Sequence, residues 1–254
     1  MLGGGLGSQP TTECDIFGSY QSLNLDGNSD YVSLPSGIIN AVNKAAGSVS
    51  IWVNIVQNDA DKSQVVTRIW TDSSNHFTIL YHKNDTEWRA TVKTNNTAQT
   101  AEYDIPGSSN NDGSGYGLGW QHFVATWSIA SGACAVRLYR NGSLVDQTIV
   151  SSGQSDWVGD VDLIHIGANH AGTDAFVDGQ IDQVGYWDIE LPSTAVTAIY
   201  NGGVMRDLTT QHTNYTQTAN LIGYYQFEGN ALDSSNTKAH GTLNGTAGFS
   251  TSQP

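Results

Sequence analysis

The chain has 254 residues, with 10 Lys and Arg against 24 Asp and Glu, and a formal net charge of −14. A surface this acidic repels phosphate backbones and anionic membranes, so we expect no nucleic-acid partner and no membrane insertion. No run approaches the roughly 20 apolar residues of a membrane span. A chain of this length can bury a substantial core, as one large β domain or as two small ones.

The first predicted feature is a Gly-rich arm over residues 1–17, which begins MLGGGLGSQPTTE. It has neither the basic region nor the apolar region of a Sec signal. The protein is therefore expected in the cytoplasm, or in a particle that is released by lysis. Four apolar residues of this arm are candidate contacts to a partner chain: Leu2, Leu6, Ile16 and Phe17.

The two cysteines, Cys14 and Cys134, do not form a disulfide framework, and neither has a CxxC partner. Cys134 shares a predicted strand face with Val136 and Leu138. A buried free thiol is the favoured interpretation, and a Cys14–Cys134 bridge is the alternative.

Strand patterns fill most of the chain. Alternating runs flank Asp26 and Asp30 in SLNLDGNSDYVSLP, and further strands are predicted over 48–56, 64–71, 76–83, 87–93, 120–128, 134–140, 144–150, 161–167, 180–190 and 221–227. Asn141-Gly142 predicts a tight hairpin turn. The Gly- and Ser-rich stretch 104–118 predicts a long loop.

Helical periodicity is limited to 36–47 and 191–203, the second with Ser193 as N-cap and Gly202 after its end. Many short strands with few helices predict an all-β fold, an antiparallel jelly-roll β-sandwich with one or two short helices. We expect the sandwich over 18–203 and a C-terminal extension over 204–254 that packs on the same sandwich.

Six motifs in fixed order carry a family resemblance: SLNLDGNSDYVSLP, SVSIWVNI, WQHFVATWS, VRLYRNGSLVDQ, IHIGAN and DGQIDQVGYWDIELPSTAVTAIYNGG. The chain resembles the laminin-G-like domain of the concanavalin A-like lectin/glucanase superfamily, close to its pentraxin-type variant. The resemblance implies ligand sites at rim loops or on the concave sheet face, and often a calcium ion at one rim. The tail, NLIGYYQFEGNALDSSNTKAHGTLNG, is similar to the closing segment of such domains in bacteriophage sequences.

No catalytic residues are predicted. The glucanases of this superfamily carry Glu-x-Asp-x-Glu on one strand, whereas the nearest match here has Tyr186, Asp188 and Glu190. GxSxG and HExxH motifs are both absent from the sequence. The expected protein is therefore not an enzyme and requires no cofactor.

Calcium is the one ion for which the sequence offers candidate ligands, since it prefers several carboxylate and carbonyl oxygens. The candidates are Asp26, Asp30, Asp178 and Asp182. The alternative is turn chemistry for the first two, and capping of buried backbone groups by Asp182 on the face of Val184.

Aromatic residues in loops are the candidate sugar contacts: Tyr116, Trp157 and His170. Four further tryptophans are expected in the core: Trp52, Trp120, Trp127 and Trp187. The predicted function is a non-enzymatic lectin-like module on a phage virion, as capsid decoration or fibre. It would be held in a homo-oligomer or particle shell by its arm, with glycans as possible ligands. The alternatives are a secreted or cell-surface carbohydrate-binding module and, below it, a glycoside hydrolase.

Overall fold

A computed structural model describes residues 21–56, 63–82, 86–105 and 118–254 of the chain. The arm residues Leu2, Leu6, Ile16 and Phe17, together with Cys14, Tyr116 and Lys83, lie outside the described residues. Predictions that fall on them stay predictions.

The described residues form two antiparallel sheets. The strands are β1 Ser22–Asp26, β2 Tyr31–Leu34, β3 Ala46–Ile55, β4 Gln64–Asp72, β5 Asn75–His82, β6 Glu87–Thr94, β7 Thr97–Asp104, β8 Gln121–Ala130, β9 Ala133–Arg140, β10 Ser143–Val150, β11 Leu163–Ile166, β12 Asp178–Trp187, β13 Leu221–Tyr225, β14 Thr242–Asn244 and β15 Gly248–Ser250. The α-helices are α1 Ser36–Ile39 and α2 Ser193–Tyr200.

The first sheet has the order β10-β9-β8-β3-β12-β1-β15, with β13 also paired to β12. The second has the order β14-β2-β11-β4-β5-β6-β7. This two-sheet sandwich confirms the predicted fold class. Residues after 204 supply strands to both sheets, because β13 and β15 join the first and β14 joins the second.

The main core lies between the sheets, where alternate residues of most strands point inward. Aromatic pairs cross the interface: Phe77 lies 4.4 Å from Trp127 and Trp88 lies 4.2 Å from Phe123 between ring centroids. Cys134 is a buried free thiol in the same core, and burial raises its pKa to about 11.

A second apolar cluster covers the outer face of the first sheet. Helix α2 buries Ala195, Val196 and Ile199 against this face, and Tyr215 and Tyr224 from the following segment pack beside them. Among the described residues, no α-helix covers the outer face of the second sheet in this way. Side chains on this outer face of β4 and β5 therefore remain partly accessible.

Two local predictions differ from the structure. The helix predicted over 36–47 ends at Ile39, because β3 begins at Ala46 and pairs with β8. Ser193 is the first residue of α2 rather than its cap, and Pro192 occupies the cap position without a side-chain hydrogen bond. The Asn141-Gly142 turn is confirmed, with φ of 49° and 76°.

None of the helices in the described ranges is long and apolar enough to cross a membrane.

Candidate functional site

The outward side chains of β4 and β5 bring aromatic and basic groups together on the second sheet. Ile69 points into the core, so Arg68 and Trp70 on either side of it point outward and are only partly buried. His76 on β5 is directly opposite Trp70 in the register, and its neighbour Phe77 is in the core. Cross-strand neighbours of this kind lie within contact distance of each other.

Two further strands extend this group. His165 of β11 is paired with Arg68, and the ring of Tyr31 on β2 lies 4.7 Å from that of His165. His170 reaches the group from the loop after β11. We refer to this set as the aromatic surface, which consists of Tyr31, Arg68, Trp70, His76, His165 and His170.

Trp70 is the centre of the aromatic surface. The ring of His170 stacks on it with centroids 3.8 Å apart and an interplanar angle of 13°. The ring of His76 stacks beside it at 5.1 Å and 23°. The guanidinium carbon of Arg68 lies 5.0 Å from the Trp70 centroid, a cation–π distance.

Hydrogen bonds fix the orientation of the Arg68 and His170 side chains. Arg68 Nε donates to Thr78 Oγ1 at 2.9 Å, and Arg68 Nη1 lies 3.4 Å from His170 Nδ1. Since arginine can only donate, the contact requires His170 Nδ1 to accept.

The loop that carries His170 is held by its own polar contacts. His165 Nδ1 donates to the Asn169 carbonyl at 2.7 Å, and the Asn169 amide donates to Asp174. Asn169 Oδ1 accepts the Ala171 amide at 3.0 Å. His170 is therefore presented on an ordered turn that is bonded to the sheet.

The three histidines of the aromatic surface are neutral near pH 7. Burial, followed by the charge of Arg68, lowers the pKa of His76 to about 4. Burial also lowers the pKa of His170 and of His165. The pKa of Arg68 is lowered, because the effect of burial outweighs the charge of Asp174, which raises it. The aromatic surface thus combines uncharged ring faces with one cation, Arg68, and the carboxylate of Asp174 lies near it.

The four aspartates proposed as calcium ligands lie in different settings. Asp26 Oδ1 accepts the amides of Asn28, Ser29 and Asp30 at 2.9, 2.9 and 3.2 Å. Burial raises its pKa, but these hydrogen bonds outweigh burial and lower it. Asp30 is buried, and its Oδ1 accepts the Thr246 amide at 2.6 Å. Both carboxylates therefore have protein donors.

Asp178 is paired with Asp26 across β1 and β12, and Asp182, four residues further along β12, is paired with Trp52 of β3. Asp182 is fully buried beside Ile181, which points into the main core. The expectation that Asp182 shares the face of Val184 is wrong, because Gln183 has φ of 49° in a bulge that changes the alternation. Within the described ranges, no three His, Cys, Asp or Glu residues are grouped so that they could hold a metal ion.

The nearest match to a glucanase motif, at the end of β12 and just after it, has no pair of free carboxylates. Tyr186 is buried between the sheets, with its hydroxyl 2.7 Å from Thr67 Oγ1. Asp188 accepts a hydrogen bond from Asn220, and Glu190 pairs with Arg137. Each acidic group has a structural partner.

The candidate sugar contacts have different outcomes. Trp157 is 6% exposed, and its indole N–H donates to Thr71 Oγ1 at 2.9 Å, so its expected exposure at a rim is wrong. His170 is partly exposed in the aromatic surface. Tyr116 lies outside the described part of the chain. Trp120, expected in the core, is half-buried and donates to Ser252.

Sequence reasoning missed Trp70, Arg68, His76 and Tyr31. The signal was present, since Arg68 and Trp70 alternate with the apolar Ile69, and His76 precedes the apolar Phe77. Alternation alone places such residues on an outer face. It does not indicate which outer faces a helix covers.

The described residues form a two-sheet antiparallel sandwich, an architecture that many lectin-like domains share. The aromatic surface lies on one of its sheets. A laminin G family model, described as belonging to the concanavalin A-like lectin/glucanases superfamily, matches residues 26–197. The chain belongs to this family, which confirms the resemblance to a laminin-G-like domain of the concanavalin A-like lectin/glucanase superfamily. No curated protein matches the chain significantly.

Several solved structures share the fold. A protein from Bacteroides ovatus described as carbohydrate binding aligns with a TM-score of 0.61 and 13% identity, over 92% of this chain and 60% of that one. Domain 4 of the extracellular GH43 arabinanase AbnA from Geobacillus stearothermophilus, in complex with arabinotriose, aligns at 0.50 and 17%, over 71% and 87%. The CBM40 of the Ruminococcus gnavus IT-sialidase, bound to α2,3 sialyllactose, aligns at 0.50 and 13%, over 72% and 100%. The chain spans less than two thirds of the Bacteroides protein.

Proposed function

We propose that the protein is a non-enzymatic carbohydrate-binding module that holds a glycan against the aromatic surface. The observation that carries the proposal is the stack of His170 on Trp70, partly exposed on the sheet face that α2 leaves uncovered. The three structural relatives described above as carbohydrate binding or bound to saccharides support it.

The chemistry of the aromatic surface suits a sugar. A pyranose or furanose presents apolar C–H groups on its faces and hydroxyls at its edge, so it needs a ring to pack on and polar groups beside it. Trp70 and the neutral imidazoles of His76 and His170 supply ring faces. Arg68 and Asp174 supply a donor and an acceptor at their margin.

The absence of a catalytic role is also part of the proposal. Glycoside hydrolysis needs two carboxyl groups that flank one bond, about 5–9.5 Å apart, with one of them free to donate a proton. At the nearest match to the motif of the family's glucanases, just after β12, Asp188 and Glu190 are bonded to Asn220 and Arg137. We therefore expect retention of polysaccharide without cleavage.

Affinity electrophoresis through gels that contain soluble arabinan, galactan, xylan or β-glucan tests the proposal. We expect at least one polysaccharide to retard the protein, and Trp70→Ala to lose about tenfold or more in affinity, since aromatic anchors are typical binding hot spots. Trp120→Ala, which changes another half-buried tryptophan, should bind as the wild type does.

Thermal melts of Trp70→Ala and Trp120→Ala check that these variants fold. His170→Ala is a second change at the aromatic surface, in the loop after β11. Equal retardation of the wild type and both aromatic-surface variants would contradict the proposal. Release of reducing sugar from any polysaccharide would contradict its non-enzymatic part.

We further propose that the module is displayed on a virion, held by the arm over residues 1–17 in an oligomer or shell. The support is the similarity of the tail to phage sequences and the net charge of −14, which keeps crowded copies soluble. Light scattering should show an oligomer that becomes monomeric when residues 1–17 are removed. A monomer that the truncation leaves unchanged would favour the secreted carbohydrate-binding module instead.

A further inference from the structure

A polar pocket of about 300 Å³ lies beside α2, on the far side of the sandwich from the aromatic surface. Its lining combines hydroxyl and amide groups with one cation: Thr194, Thr197, Asn201, Arg206, Thr213 and Asn214. None of the described residues that line it has an aromatic ring. The pocket is therefore different in chemistry from the surface around Trp70.

The helix forms one wall of this pocket because of its sequence. Ala195, Val196 and Ile199 face the sheet, which leaves Thr194, Thr197 and Asn201 on the opposite side at spacings of three and four residues. Thr197 Oγ1 donates to the Gly142 carbonyl at 2.9 Å, so this hydroxyl can accept from a ligand.

Arg206 forms no ion pair with any of the described residues. Its Nη2 donates to Asn201 Oδ1 at 2.6 Å, and its Nε is buried with no hydrogen-bond partner within the described ranges. The ion pairs among the described residues involve Lys44, Arg89 and Arg137, and none involves Arg206. The adjacent Asp207 carboxylate accepts from Thr209 and Thr210.

The half-buried Arg206 lines the pocket, and its Nη1, which has no hydrogen-bond partner within the described ranges, can donate to a ligand there. A carboxylate matches a guanidinium well, because both groups are planar and can form two parallel hydrogen bonds. The hydroxyls and amides around Arg206 would then meet polar groups on the rest of the ligand.

We propose that this pocket is a second binding site, for a single sugar unit that carries a carboxylate, with Arg206 as its anion-binding residue. The sugar part of this assignment rests on the proposed function, whereas the carboxylate part rests on Arg206 alone. The net negative charge of the chain does not prevent it, because distant surface charges are screened beyond about 8 Å at physiological salt.

The test is an NMR titration of the ¹⁵N-labelled full chain with three probes: galacturonate, its neutral methyl ester and galactose. We expect galacturonate to bind about tenfold or more tightly than the ester, because a charge-assisted pair is lost in the ester. The largest amide shifts should fall on Thr194, Thr197, Asn201 and Thr213. Arg206→Gln should remove the preference for the acid.

Lys238→Gln removes the same charge from an exposed position, and it should leave the preference intact. Trp70→Ala should also leave it intact, which separates this site from the aromatic surface. Equal binding of acid and ester by the wild type, binding of neither, or shifts confined to other residues would overturn the proposal. Should Arg206→Gln fail to fold, the acid–ester comparison on the wild type still decides.

Discussion

His122 is the residue whose burial has the clearest consequence for pH dependence. It is 2% exposed under α2, with its ring 4.9 Å from that of Trp52 and 5.7 Å from that of Tyr200. Its Nε2 lies 2.8 Å from Ser50 Oγ, while its Nδ1 has no hydrogen-bond partner within the described ranges. Burial lowers its pKa to about 3.

We predict that the His122→Phe/Ser50→Ala double variant is less sensitive to mild acid than the wild type. Between pH 6.5 and 3 the unfolded chain protonates His122 and the folded chain does not, so stability is lost as the pH falls below 6.5. At pH 5 this loss amounts to about 2 kcal/mol for His122. Urea unfolding at pH 7 and pH 5 measures the difference.

His76, His165 and His170 titrate in the same direction, so the double variant should keep part of the pH dependence. Ser50→Ala alone is the control, since it retains the imidazole. An identical fall in stability for the double variant and the wild type would contradict this assignment.

The carboxylates of Asp26 and Asp30 lead to a second prediction, on calcium. Their oxygens already accept backbone amides, including a contact from Asp30 to Thr246 that ties the C-terminal segment to the β1–β2 turn. We therefore expect the same transition temperature in calcium and in a chelator. A rise of several degrees in calcium would instead support the predicted ion site, because a native-state ligand must stabilise the fold.

At the scale of elements, Gly47 shows how tightly β3 packs against β8. A Cβ at this position would lie 2.2 Å from the Trp127 ring, which is itself in contact with Phe77 of the other sheet. We predict that Gly47→Ala lowers the free energy of unfolding by about 1–3 kcal/mol, the usual cost of overpacking. Chemical denaturation measures it.

Gly248 in β15 is the matched control, because its nearest neighbour would lie 3.8 Å from an added Cβ. Gly248→Ala should change stability by no more than about 0.5 kcal/mol. Equal effects of the two alanines would show that the Trp127 contact is not tight.

The strands were predictable because period-two alternation is a strong local signal, and the predicted 64–71 and 134–140 match β4 and β9 within one residue. β7 was missed because its sequence, TAQTAEYD, is polar, and its pairing with β6 stabilises it instead. Pairing between distant strands also overrides the helix predicted over 36–47, because the strand β3 begins within this helical pattern.

For the whole molecule, the asymmetry between the two outer faces is what the sequence could not show. Helix α2 and the segment that ends at β13 cover the first sheet, and this burial depends on contacts between distant parts of the chain. Trp187 and Trp70 both lie on strands, yet the first is fully buried under that cover and the second is partly exposed. The aromatic surface is accessible because α2 and the segment after it cover the other sheet, and no local sequence motif indicates this.

The central claim is that Trp70 meets the ligand, and NMR of the tryptophan indole N–H signals tests it most directly. The ¹⁵N-labelled protein is titrated with oligosaccharides cut from the polysaccharide that retards it, and the Trp70 signal is assigned by its loss in Trp70→Phe. We predict that the Trp70 signal moves with ligand, while those of the buried Trp127 and Trp187 stay in place. Saturating ligand that leaves the Trp70 signal unmoved would contradict the account.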